Sequence, residues 1–241
     1  MTDIGLFRDT NQDLFEFGEF DDQNCWAVVC DGMGGASGGE TASRICVEKV
    51  SVAIKRGYHK NFTVKAARNL LESAITSANM AVYDLAVQES SLRGMGTTVV
   101  AVIVLGGIAV IAHVGDSRAY HLTSDSVKLV TKDHSLMQAM IDNGKITEEE
   151  AKTHPDRNVI TRAIGVVNFV DVDFDVIDLN EGEKLLVCTD GLSGSIESDE
   201  MLEIVNANSD FSAEKLVERA LVNGSRDNVT VVVMSTEDQG A

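Results

Sequence analysis

Apolar positions along the chain follow two periods. Cys25–Cys30 is an unbroken apolar run that stops at a carboxylate, Asp31. Such a run reads as a strand buried on both faces. From Gly39 to about Arg56 the period becomes helical. Ala42, Cys46, Val50 and Ala53 fall on one face, with Glu40 in the first turn, where the helix dipole favours a carboxylate. Val64–Gln88 is the clearest helix, with Ala67, Leu71, Ala74, Ala78, Ala81 and Leu85 at alternating steps of four and three. Its small residues predict close packing against a sheet or a second helix. Thr98–Leu105 and Ile108–Val114 are β-branched runs joined by Gly106-Gly107, a hairpin signature, and the second leads into Gly115-Asp116.

Beyond Thr131 the pattern loosens. Ser135–Asn143 predicts a short helix, Thr147 with Glu150 a capping box for another, and His154-Pro155 its end. This segment, to about Gly165, reads as an irregular insertion. Val166–Leu179 alternates apolar and acidic residues, as a half-exposed strand does. Leu185–Gly191, LLVCTDG, repeats the apolar run closed by a carboxylate, here Asp190. Glu200–Val205 and Ser212–Leu221 predict two helices, the second stopped by Asn223-Gly224. Asp227 opens the run DNVTVVVM and so stands at the start of the last strand.

The recurring feature is a carboxylate at a strand end: Asp31, Asp116, Asp190 and, at a strand start, Asp227. If the last strand runs antiparallel to those before Asp31 and Asp190, these three carboxylates gather at one edge of the sheet. Like charges so placed need compensation, and a hard divalent cation with oxygen ligands supplies it. Each Asp-Gly alone is an ordinary turn, and the polar cluster Arg8–Asp13 alone reads as a surface turn. An oxygen-only donor set favours Mg²⁺ or Mn²⁺ over zinc. Two such ions can clamp a phosphate and activate water. Arg8 is then the natural planar donor for the phosphate.

Composition narrows the setting. With 241 residues, a single proline and 44% hydrophobic residues, the chain can bury a substantial core within one domain, 1–241. The net charge of −18 argues against nucleic acid as a partner. Solubility is its plain explanation; metal-holding carboxylates are the sharper one. Cys25, Cys30, Cys46 and Cys188 show no zinc spacing and read as free, largely buried thiols of a reducing compartment. MTDIGLFRD has no apolar signal region, and Val99–Ala112 is too short to span a bilayer. A cytoplasmic monomer without membrane insertion is the expectation. Gly32–Gly39 fits neither a P-loop nor G-x-G-x-x-G, and none of the cysteines has a neighbouring His that would mark a nucleophile.

TDIGLFRDTNQD, DGMGG, RGMGTT, HVGDSRAY, KDHS, HPDRNVITRAIG, CTDGL and RDNVTVVV follow one another along nearly the whole chain. Each is common alone. In this order they resemble the bacterial branch of the protein phosphatase 2C family, the metal-dependent Ser/Thr protein phosphatases. The resemblance implies an α+β fold, a four-layer α/β/β/α sandwich with the metals at one end between two antiparallel sheets. It implies that Asp31 bridges two ions, that the Gly32 carbonyl binds one of them, and that Asp190 and Asp227 complete the shell of the first ion. Asp116 matches the residue that, with Asp190, holds a third ion in bacterial members. Arg8 matches the phosphate-binding arginine, Asp13 an outer-shell acid, and His134–Gly165 a mobile flap. The implied reaction is hydrolysis of phosphoserine and phosphothreonine in phosphorylated proteins by metal-activated water, without a covalent intermediate. The implied counterpart is a Ser/Thr protein kinase.

The chain departs from the family pattern at three positions. Gln12 stands where many relatives have Glu, Met33 where eukaryotic members carry His, and Ala36 where many bacterial members do. The proton donor is therefore open between metal-bound water and His134, a lone loop histidine that is more often structural. Two other classes compete: a noncatalytic binding module on the same scaffold, against which the full set of carboxylates argues, and a phosphoesterase acting on nucleotides or nucleic acid.

Overall fold

The computed structural model describes residues 1–21, 23–208 and 211–235, with Ala36 and Ser37 described in the backbone only. The first half runs β1 (Thr2–Asp3), β2 (Asp13–Asp21), β3 (Asn24–Met33), α1 (Gly35–Gly57), α2 (Val64–Gln88), β4 (Gly96–Thr97), β5 (Val99–Leu105) and β6 (Ile108–Val114). Then come β7 (Arg118–Leu122), β8 (Val127–Leu129), α3 (Leu136–Asp142), α4 (Glu148–Thr153) and β9 (Asp173–Asp178). The chain closes with β10 (Lys184–Cys188), α5 (Asp190–Ser193), α6 (Ser198–Ala207), α7 (Ser212–Val222) and β11 (Val229–Ser235).

The strands form two antiparallel sheets, β2-β3-β5-β6-β9 with β4 paired to β3, and β1-β11-β10-β7-β8. Pleating explains the layers, because alternate side chains face opposite ways. On β3, Trp26, Val28 and Cys30 pack against Cys46 and Val50 of α1 and Leu71 and Ile75 of α2. Ala27 and Val29 point the other way, into a layer shared with Leu185 and Val187 of β10 and Val232 of β11. Leu186 and Cys188 in turn meet Met201, Val205, Leu216 and Val217 of α6 and α7. Helices, sheet, sheet and helices make the expected four-layer α+β sandwich. The reading of Cys25–Cys30 as a strand covered on both faces holds, since Trp26 to Cys30 are buried throughout.

Several boundaries move for physical reasons. Helix α1 starts a turn before the expected Gly39, so Glu40 lies beyond the first turn and is exposed. On α2 the buried stripe passes through Ala78, Val82 and Ala86 in place of the expected Ala81 and Leu85. An α-helix drifts about 20° per heptad against a strict 3.5-residue repeat, so a four-three alternation leaves the buried face over a helix this long. The strand expected over Val166–Leu179 is only Asp173–Asp178. Gly165 and Val167 are held instead by the buried Asn79 of α2, whose Oδ1 accepts from Gly165 N at 2.8 Å and whose Nδ2 donates to Val167 O at 3.0 Å. The last strand begins at Val229, two residues after Asp227. The capping box at Thr147 and Glu150 is present.

Asn79 therefore anchors the segment that leaves the 134–165 insertion. Replacing it with Ala strands the buried Gly165 N–H, a loss of about 1–3 kcal/mol. Asn79→Ala should lower the melting temperature by about 2–10 °C, measured by circular dichroism; an unchanged melt would mean that this anchor contributes nothing.

Candidate metal and phosphate site

The site begins at a cross-strand pair. Asp13, first residue of β2, lies opposite Asp31 of β3, so the two carboxylates share one face of the ladder. That face is the one turned to the second sheet, as Ala27 and Val29 show. The backbone around Asp31 is fixed on both sides. Thr98 Oγ1 accepts from Asp31 N at 2.9 Å, and Thr97 Oγ1 donates to Asp31 O at 2.8 Å. Gly32 then passes so close to the start of α1 that a Cβ there would lie 2.1 Å from Gly39 O. Only a glycine permits that approach.

From the second sheet, β10 and β11 run antiparallel. Asp190, just past the end of one, and Asp227, just before the start of the other, therefore come together. Their meeting is the one that antiparallel strands require of a strand end and a strand start. The expectation of a single sheet edge is corrected: Asp31 arrives from the facing sheet. Thr189 joins the two, donating from Oγ1 to Asp13 Oδ2 at 2.8 Å while accepting from Thr230 N at 3.0 Å. Asp116 enters from the loop by which the chain crosses between the sheets, from β6 to β7. Arg118, two residues on, is clamped by Asp133 through two hydrogen bonds of 2.9 and 2.8 Å.

Arg8, Asp31, Gly32, Asp116, Asp190 and Asp227 all line one open cleft of about 530 Å³. Arg8 Nη2 donates to Asp227 Oδ2 at 2.5 Å and its Nε to Arg226 O at 3.3 Å. Asp13 lies behind the cleft, 6% exposed. The Arg8–Asp13 stretch is thus not the plain surface turn that its composition suggests. Gln12 lines the cleft too, with its amide committed to Gly35 O at 2.6 Å. Met33 lines it as well, whereas the Ala36 side chain is outside the described residues. Asn158, Ile160 and Phe7, which no local pattern marks as site residues, also reach the cleft, as does Thr98, for which the RGMGTT motif is the available signal.

Electrostatics dominates this cluster. Burial, then the charges of Asp190 and Asp13, raise the Asp31 carboxyl well above its ordinary range. Burial and Asp227 raise Asp190 to about 6. Burial, with Asp190 adding to it, raises Asp13 and Asp116 each to about 7. Asp13 Oδ1 and Asp190 Oδ1 are buried with no hydrogen-bond partner among the described residues. Unpartnered buried carboxylate oxygens, in an all-oxygen set, fit a hard divalent cation.

His134 behaves differently. Its Nδ1 accepts from Gly115 N at 3.0 Å, so the ring proton sits on Nε2, which faces Asp173 Oδ2 at 3.2 Å. Neither nitrogen reaches the cleft lining, and burial lowers its pKa, keeping it neutral. It ties the start of the insertion to β6 and β9 and is not placed to protonate a leaving group. His113, His134 and Asp173 do bring ligand atoms within 4.8 Å of one another. They make a poor metal site all the same. The His134 nitrogen left over for a ligand carries the proton, and Asp173 is already bonded to Arg162 at 2.6 Å.

The family model for protein phosphatase 2C matches residues 8–224. The serine/threonine phosphatase stp of Listeria innocua is 36% identical over 235 residues, 97% of this chain and 93% of that protein. A solved bacterial serine phosphatase superposes with a TM-score of 0.91 at 32% identity, covering 100% of this chain and 98% of that one. The catalytic domain of the serine/threonine protein phosphatase PstP, solved in complex with two manganese ions, gives a TM-score of 0.80 at 32% identity over 97% of this chain and 94% of that one. With a match that begins at Arg8 and runs past Asp190, on a fold shared over almost its whole length, the chain belongs to the protein phosphatase 2C family.

Proposed function

We propose that this chain is a protein serine/threonine phosphatase that needs Mn²⁺ or Mg²⁺, acting as one domain over 1–241 with 134–165 as a flap beside the cleft. The observation that carries the reading is the convergence of partly buried, mutually repelling carboxylates from two sheets on a cleft that also presents Arg8. Asp31, Asp190 and Asp227 with the Gly32 carbonyl would hold two ions, and Asp116 with Asp190 a third. Bound there, the ions supply Lewis acidity and lower the pKa of water. Arg8 orients the phosphate through its planar donor face, and the Asp227 carboxylate holds that guanidinium in place. Asp13, positioned by Thr189, would accept hydrogen bonds from water held by the ions. Thr97 and Thr98 fix the backbone that carries Asp31.

The relatives' names support phosphoprotein substrates, and the source we propose for those substrates is a bacterial Ser/Thr protein kinase. No helix among the described residues is long and apolar enough to cross a membrane. The four cysteines are free thiols, which suits a reducing cytoplasm. We take the working form to be a monomer.

Three results test this reading. A phosphothreonine peptide should be hydrolysed with Mn²⁺ or Mg²⁺ and not in EDTA; absence of turnover at every metal concentration in a folded sample would refute it. Because the native carboxyls hold protons more tightly than the unfolded chain does, metal-free stability should fall as pH rises from about 4 through about 7. Ions compete for the deprotonated form. Mn²⁺ at about a hundred times its Kd should therefore raise the melting temperature by about 5–10 °C at pH 8 and by clearly less at pH 5.5, read by differential scanning fluorimetry. Asp190→Asn should reduce kcat by about 100-fold or more, yet raise the melting temperature in EDTA by a few degrees by removing one repelling charge. A variant that is both active and no more stable would contradict the role given to Asp190.

A further inference from the structure

The carboxylates of the cleft are partly buried, while its exposed lining mixes polar residues, among them Arg8, Asp9 and Asn158, with apolar ones. Phe7 and Ile160 line it beside Arg8. Phe7 is 63% exposed, and Val159 next to Ile160 is 44% exposed. A lone exposed apolar residue needs no explanation. Here an exposed phenyl ring, Phe7, and a half-buried isoleucine, Ile160, from segments about 150 residues apart in sequence, line one cleft.

Both are carried on pinned backbone. Gly5, at φ +79°, packs so closely on the Asp227 turn that a Cβ would meet Asp227 O at 2.4 Å. On the other side of Phe7, Arg8 bonds Asp227 and Arg226 O. Phe7 is thus presented between two anchors on the same turn. On the flap, Leu136 N donates to Val159 O at 2.8 Å, and Ile160 bridges Ser135. Rigid apolar groups at a rim lose little conformational freedom when a partner covers them.

A phosphoryl group gives such residues nothing to pack on. Whatever covers them lies beside the phosphorylated residue. We propose that Phe7 and Ile160 form a selective lip that favours phosphoproteins with a large apolar side chain adjacent to the phosphorylated serine or threonine. This inference rests on the phosphatase reading above. Charge beside Phe7 is mixed, since Arg8 and Asp9 both line the cleft there, so neither a basic nor an acidic neighbour gains what an apolar one gains from Phe7 and Ile160.

The test is a set of phosphothreonine peptides identical except for Leu, Ser, Arg or Asp beside the phosphothreonine, assayed with Mn²⁺ at fixed ionic strength. The wild type should favour Leu over Ser by about tenfold in kcat/KM, mostly through KM. Phe7→Ala should bring that ratio close to one, Phe7→Leu should keep most of it, and Ile160→Ala should reduce it independently. Equal rates on all four peptides, a preference for Arg, or a Leu preference that survives Phe7→Ala would overturn the lip. A uniform fall on every peptide in a folded Phe7→Ala would also overturn it, leaving Phe7 only to hold Arg8. If the wild type hydrolyses neither the peptides nor free phosphothreonine with metal, the phosphatase reading itself fails, and the lip falls with it.

Discussion

Asp13 and Asp31 face one another across an antiparallel ladder, on the face of the sheet that is turned inward. Like charges directly opposite are unfavourable on any sheet. In a buried layer they are worse, because low polarisability strengthens repulsion and burial penalises each charge. Asp190 and Asp227 add to the same field from the second sheet. A fold that placed these groups for stability alone would have separated them. The arrangement makes sense where a divalent cation reverses the local sign.

Much of the surrounding structure holds this frustrated centre in register. Thr189 belongs to one sheet and bonds a carboxylate of the other, so the sheets cannot slide without losing that bond. Thr97 and Thr98 fix the strand end at Asp31. Gly32 lets the turn lie against α1 at a distance that any side chain would forbid. Arg118 and Asp133, bonded through two parallel contacts, brace the loop that bears Asp116. Each device is local and neutral or self-compensated, so none of them cancels the charge gathered in the cleft.

The insertion beside the cleft is secured at both ends. At its start His134 accepts from Gly115 N and faces Asp173, which Arg162 also bonds at 2.6 Å. Burial opposes ionisation of Asp173, but the hydrogen bonds from Arg162 and His134 hold its carboxyl below the ordinary value. At its far end Asn79 holds Gly165 and Val167. Between these anchors the segment brings Asn158 and Ile160 to the cleft. A histidine that reads from sequence as a possible proton donor is, in the fold, a tether.

Sequence alone determined the parts that depend on local pattern. The buried strand before Asp31, the hairpin through Gly106-Gly107 and the capped helix at Thr147 follow from periodicity and capping, which act over a few residues. So did the repetition of a carboxylate at the strand ends, and with it the metal chemistry. Only the tertiary structure decided that these carboxylates come from two facing sheets, because a strand's period of two does not say which sheet it joins. Burial of Asp13 within a polar stretch, the commitment of both His134 nitrogens away from the cleft, and the exposure of Phe7 at its mouth were likewise undecided. Each depends on what lies across space from the residue, between segments far apart along the chain, and no local pattern of polar and apolar positions encodes that.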